Sequence, residues 1–160
     1  MHEPDSLQEA SFLLFSLAES RLGIEASQVG AIEAVADLTA FRMPFFRIDQ
    51  ILFPAAPLLT CQAPVALIPA SPERQHAVII DSLEDIRPIS VRHIRPFPRL
   101  MQLAEGKNFS YWGVALLHDS IILLVDLFQL IDTENKKQHT MRGRSRRPAT
   151  VHSRHQASMP

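Results

Sequence analysis

The apolar positions of this chain fall into short runs of four to six residues, separated by turn-forming clusters. Phe12-Leu13-Leu14-Phe15-Ser16-Leu17 is such a run, and Arg21-Leu22-Gly23-Ile24-Glu25 alternates polar with apolar. Ala18-Glu19-Ser20 lies between them, so the pair predicts a β-hairpin. Ser27 is placed to cap a brief helical turn carrying Val29 and Ile32, and residues 31–35 read as a strand. Residues 43–49 form another, with Pro44 at its start, where a missing N–H is harmless. Gln50 to Phe53 predicts one helical turn that Pro54 ends. Residues 55–64 read as a proline-punctuated crossover between two half-units.

The hairpin pattern then returns. Val65–Ile68 and Ala77–Ile80 flank Ser71-Pro72-Glu73-Arg74. Arg95-Pro96-Phe97-Pro98 is extended, because each proline pushes its neighbour out of the α region. Residues 100–111 predict a loop or a weak helix. Trp112–Leu117 and Ile121–Val125 make a third hairpin, turning at His118-Asp119-Ser120.

Two patterns recur in order. Ser27-x-Val29-x-x-Ile32-x-x-Val35 is matched by Asp81-x-Leu83-x-x-Ile86-x-x-Ile89, and the ending Ile48-Asp49 by Val125-Asp126. A true duplication would give two similar small β-barrels side by side, and chance similarity is the other reading. Asp49 and Asp126 each follow a strand, where a carboxylate caps the next helical turn. A catalytic carboxylate pair is the alternative, and nothing in the sequence brings the two together.

Composition narrows the chemistry. Twelve prolines against five glycines make long uninterrupted helices implausible. The glycines stand singly, so phosphate-cradling loops, dinucleotide fingerprints and a nucleophile elbow are all missing. Cys61 is the only cysteine and forms neither an internal disulfide nor a thiolate set. His118-Asp119-Ser120 holds the residue types of a catalytic triad, but neighbours in a turn point apart. His76 and His93 read as structural or surface residues. His152-x-x-His155 lacks carboxylate or thiol support for a metal. No catalytic residue, cofactor or metal is expected, so the chain reads as a non-enzyme.

Charge is unevenly placed. Residues 133–160 carry seven basic residues against Glu134 alone, leaving nine basic and sixteen acidic side chains for residues 1–132. The tail reads as basic and disordered, since it has too little apolar surface to offset ordering. It is either a solvated tail or a contact for an acidic partner, and without aromatics it offers nucleic acid no stacking platform. The acidic body is not expected to bind nucleic acid. The polar, acidic residues 1–11 read as a flexible N-terminus and not as a signal peptide. Residues 113–131 contain His118, Asp119 and Asp126, so no membrane span is expected and a cytoplasmic location is.

Three segments in fixed order resemble CheW-like domains, the adaptor family of bacterial chemotaxis. FLLFSLAESRLGIEASQVGAIEAV resembles their opening, HAVIIDSLEDIRPISVRHIRPFPRLM their second-barrel segment, and YWGVALLHDSIILLVDLFQLI their closing hairpin. The family's Gly-containing strand ending in Asn-Leu-Arg-Gly has no counterpart, because residues 35–43 are too short for it. The first barrel is therefore shortened. The resemblance implies a mainly β fold, two small SH3-like β-barrel subdomains sharing a core, with short helical turns. It places a first barrel at about 12–60, a second at about 61–132, and the tail at 133–160. It also implies an adaptor or scaffold that couples the cytoplasmic tip of a chemoreceptor to a histidine kinase regulatory domain. The alternative is a binding module that kept the fold and lost the chemosensory role. By analogy, the second-barrel hairpin supplies the partner-binding residues Val65, Leu67, Ile68, Val78, Ile79 and Ile80.

Overall fold

A computed structural model describes residues 8–105 and 110–144. Ten strands form two sheets: β1 (Glu9–Leu17), β2 (Ser20–Glu25), β3 (Val29–Ala34), β4 (Phe45–Arg47), β5 (Pro64–Pro69), β6 (Ala77–Asp81), β7 (Leu83–Ser90), β8 (Ile94–Pro96), β9 (Tyr111–Leu117) and β10 (Ser120–Val125). Helices α1 (Val35–Ala40), α2 (Ile48–Leu52), α3 (Arg99–Glu105) and α4 (Leu127–Arg144) punctuate them. The larger sheet runs β7-β1-β2-β10-β9-β8 and the smaller β3-β5-β6-β4, both open in their hydrogen bonding.

All three expected hairpins form. The expected division near residue 60 does not. β1 and β2 leave the first half of the chain and join β7–β10, while β3 and β4 join β5 and β6. The junction is a parallel pairing of β2 with β10, from Arg21 opposite Ile122 to Ile24 opposite Val125. Gly23 permits it, because a Cβ there would meet Ile122 Cγ2 and Leu124 Cδ2 at 3.2 Å each.

This interleaving explains why the strands read as continuous apolar runs. Along β1, Leu13, Phe15 and Leu17 enter the core between the sheets, whereas Phe12 and Leu14 enter a second cluster with Ile89, Ala115 and Ile122. Both faces are buried, so neither position can be polar. β6 repeats the arrangement, with Val78 and Ile80 inward and Ala77 and Ile79 under Leu38 of α1.

The structural repeat is not the one its sequence pattern suggests. Residues 83–90, paired in the repeat with the turn at Ser27, form an extended edge strand. The actual equivalents are two strand–3₁₀–strand units, with the 3₁₀ turns at Ala26–Gln28 and Val91–His93. Ser27 is not a cap. Its hydroxyl donates to Glu25 Oε1 at 2.9 Å.

The tail also departs from expectation, because α4 continues from the body through residue 144. Helix growth is costly only at nucleation, and here the body supplies the nucleus. Leu127, Leu130 and Ile131 are fully buried. Asp126 accepts the Gln129 amide at 3.0 Å, Gln28 Oε1 accepts the Leu127 amide at 2.9 Å, and Gln28 Nε2 donates to Asp126 at 3.1 Å. Arg74 grips Asp132 through Nε and Nη2 at 3.0 and 2.8 Å and lies 4.3 Å above the Phe128 ring. Once started, the helix runs on through Lys136, Lys137 and Met141, with Lys137 donating to Glu134. His152, His155 and the Arg146-Arg147 pair lie outside the described residues, as do residues 1–7 of the expected flexible N-terminus; its remainder enters β1, where Glu9 pairs with Ser90. Among the described residues no helix is long and apolar enough to cross a membrane.

Asp126 thus accepts a first-turn amide of α4. Asp126→Ala should cost about 1 kcal/mol in denaturant unfolding, with Asp126→Asn retaining most of it. A second expectation concerns pH. His76 stacks on Phe46 with ring centroids 4.6 Å apart, and burial lowers its pKa from the ordinary 6.5. Below that value the unfolded chain binds a proton that the folded chain resists, so stability must fall as pH drops through it. Urea midpoints at about pH 7.5 and 5.5 should differ in the native protein, and His76→Phe should reduce that difference.

Candidate functional site

The crossover between α2 and β5 is a strap without strand partners, so its backbone groups are satisfied by side chains. Arg47, at the end of β4, donates to both oxygens of Asp49, from Nε at 3.0 Å and Nη2 at 2.8 Å. The pair then holds Leu59 from both sides. Arg47 Nη2 donates to the Leu59 carbonyl at 2.7 Å, and the Leu59 amide donates to Asp49 at 3.2 Å. Arg47 Nη2 also lies 3.5 Å from Cys61 Sγ. Farther along, the amides of Gln62 and Ala63 donate to Asp81 Oδ1 at 3.1 and 2.7 Å, and the Ser82 amide donates to the Ala63 carbonyl at 3.2 Å.

Burial opposes the charge on Asp49, but the Arg47 bonds and the Leu59 amide outweigh it and hold the carboxyl below its ordinary 3.8. Asp81 behaves alike: burial opposes its charge, and the Gln62, Ala63 and Ser82 bonds prevail. Both are committed acceptors. A carboxylate so held is a poor proton donor at neutral pH.

Between this strap and the turn of the β1–β2 hairpin lies a cleft of about 290 Å³, at the seam of the two sheets. Ser16, Ala18, Asp49, Cys61, Asp81 and Ser82 are among its lining residues. An apolar pocket of about 220 Å³ adjoins it, formed by Ala18, Phe53, Ala56, Pro57 and Leu59. Ala18 and Ser82 have φ of 53°, a left-handed conformation that costs a side-chain-bearing residue about 1 kcal/mol. Beyond the seam, Leu58 is 60% exposed on the strap, and Leu116 and Ile121 face each other across β9 and β10 at 48% and 63% exposed.

Of the partner-binding residues expected on the second hairpin, four are buried in the chain's own core, and two of those, Ile79 and Ile80, also line the seam cleft. Leu67, Val78 and Ile80 belong to the core between the sheets, and Ile79 is buried beneath α1. Val65 and Ile68 are half-buried against those same clusters. Their strands offer no edge, since β5 and β6 are the two central strands of the smaller sheet. Asp49 is likewise not a helix cap: Arg47 occupies the cap position of α2 and Asp49 lies inside its first turn. The two aspartates serve separate elements, Asp126 the start of α4 and Asp49 the strap. His118 and Asp119 form the exposed β9–β10 turn, and Cys61 is half-buried in the strap. Among the described residues no three His, Cys, Asp or Glu side chains gather as a metal site.

Sequence reading missed Arg47 as the partner of Asp49, although its place two residues ahead is a usable signal. It missed Gln28 and Arg74 because their partners Asp126 and Asp132 are remote in sequence.

The chain is thus two interleaved sheets that share one core, with a cleft at their seam. No protein-family model matches the chain, and no curated protein matches it in sequence. Among solved structures, the scaffolding protein TtCheW from Thermoanaerobacter tengcongensis matches with a TM-score of 0.57 and 18% identity, covering 75% of this chain and 90% of that one. The fold of this chain is CheW-like.

Removing the strap's anchor tests this description. Asp49→Ala strands the Arg47 guanidinium and frees the Leu59 amide, so it should cost about 2 kcal/mol. Amide exchange at Leu59 should accelerate while that of Leu67 in the core changes only with global stability.

Proposed function

We propose that this chain is a non-enzymatic adaptor of the CheW type, which acts in the cytoplasm and couples chemoreceptors to a histidine kinase through protein–protein contacts. The likeness of its fold to a scaffolding protein, over three quarters of the chain, carries the reading. The seam supports it. An adaptor needs a surface with a fixed shape and apolar anchors, and the strap presents Phe53, Leu58 and Leu59 at 40%, 60% and 40% exposure on a backbone tied down by Arg47, Asp49 and Asp81. Holding such side chains in place beforehand reduces the ordering cost of docking.

One observation favours a second reading, a CheW-fold module that no longer serves chemosensing. Helix α1 occupies residues 35–40, where the family's strand ending in Asn-Leu-Arg-Gly would lie. The first barrel therefore lacks an element that family members use.

Calorimetric titration of the full chain with the CheW-like regulatory domain of a chemosensory histidine kinase, and separately with a receptor cytoplasmic tip, decides between them. The adaptor reading expects micromolar or tighter association with at least one. Leu58→Asp should weaken it about tenfold with the circular dichroism unchanged. A folded chain that binds neither would leave only the second reading.

A further inference from the structure

Each sheet has two edge strands, and an edge presents unpaired N–H and C=O groups that another chain can pair with. Three of the four edges here are blunted. β7 carries Glu84, Asp85 and Arg87, and Pro88 removes a donor from it. β8 is three residues long and includes Arg95 and Pro96, and β4 is also only three residues long. The fourth, β3, is different. It has six residues, Val-Gly-Ala-Ile-Glu-Ala, with no proline and a single charge, Glu33. Among the described residues it pairs with β5 alone, and its register shift lies at one end, between Val29 and Ala31.

The apolar surface at this edge is also unfinished. Ile32 stands opposite Leu67, so its side chain points to the side of the sheet that holds the core. Leu67 is completely buried, yet Ile32 is 39% exposed. An apolar residue on the core face of an edge strand, left half-covered, lacks the neighbour that a further strand would supply.

We infer that β3 is a self-association edge, pairing antiparallel with β3 of a second copy of this chain to join two four-stranded sheets into one. The strand's own sequence selects that occupant. With the two-fold axis at Ile32, each Ile32 lies opposite the other, Ala31 opposite Glu33 and Gly30 opposite Ala34. The two half-covered Ile32 side chains then cover one another on the core face, and each Glu33 faces an alanine instead of the other Glu33. Like charges directly opposed on a ladder destabilise it, and this register avoids that. One five-residue ladder with two Ile32 side chains is a small interface, which implies a weak, concentration-dependent dimer. The inference does not depend on the adaptor reading.

Sedimentation velocity of the full chain, from low micromolar to near-millimolar concentration, tests it. The native protein should pass from monomer to dimer. Ile32→Lys should weaken dimerisation about tenfold or more, since it removes the apolar contact and sets two cations beside the axis. Leu116→Lys, an exposed position on the other sheet, should leave it unchanged. Independently of any variant, amide exchange in the native protein should slow with concentration at residues 29–34. A chain that stays monomeric throughout, a dimer insensitive to a folded Ile32→Lys, or concentration-dependent protection confined to another strand would overturn the inference.

Discussion

The fold depends on one pairing, that of β2 with β10. It is parallel, it joins residues about a hundred positions apart in the chain, and it lies between two antiparallel hairpins that would otherwise be separate local structures. Because β2 brings β1 with it, Phe12 and Leu14 close one cluster while Leu13 and Phe15 close the other. Neither cluster is complete without the N-terminal hairpin, so neither half of the chain has a core of its own. Such a structure should unfold as a single cooperative unit, and its long-range pairing must form before most of the apolar burial that rewards it. Gly23 sits at the point of closest approach, and even a methyl group there would press on Ile122 and Leu124.

Elements outside this frame are attached by arginine–carboxylate pairs. Arg47 and Asp49 fix the strap, and Arg74 and Asp132 fix α4 against the β5–β6 turn. The two pairs sit in different environments. Asp49 is 10% exposed at its side chain and also bonds a backbone amide, whereas Asp132 is 44% exposed. Removing one partner of the first leaves a poorly solvated charge, while the second is closer to a surface pair of small worth. The strap is therefore held electrostatically, and α4 mainly by the burial of Leu127, Leu130 and Ile131.

The hairpins were legible because short apolar runs separated by turn residues have few other solutions, and the CheW-like order was legible from three such segments. The interface residues were not. Val78 and Ile80 face one core and Ile79 another, and a run of apolar residues looks the same whether its second face meets a partner or the protein's own α1. Periodicity distinguishes one-sided from two-sided burial, not what lies on the second side. The tail was misread for a different reason. Judged alone, residues 133–144 could not sustain order, but the caps from Asp126 and Gln28 and the buried first turns belong to the same helix. Asp49 was legible as a constrained carboxylate and not as the anchor of a strap, since Leu59 has no sequence feature that marks it.

These misreadings share a consequence for where recognition is located. A fold that buries both faces of its central strands cannot offer those faces without unfolding, so contact surfaces must come from what interleaving leaves over. What is left over includes the seam, where the strap crosses from one sheet to the other, the exposed Leu116–Ile121 pair on β9 and β10, and the ends of each sheet. At the seam, Ala18 and Ser82 hold left-handed backbone conformations at some expense of stability. At the ends, proline, charge or shortness blunts β7, β8 and β4 against pairing. Among the described residues β3 is the long edge without those devices, so pairing along it meets neither a proline nor a run of charge.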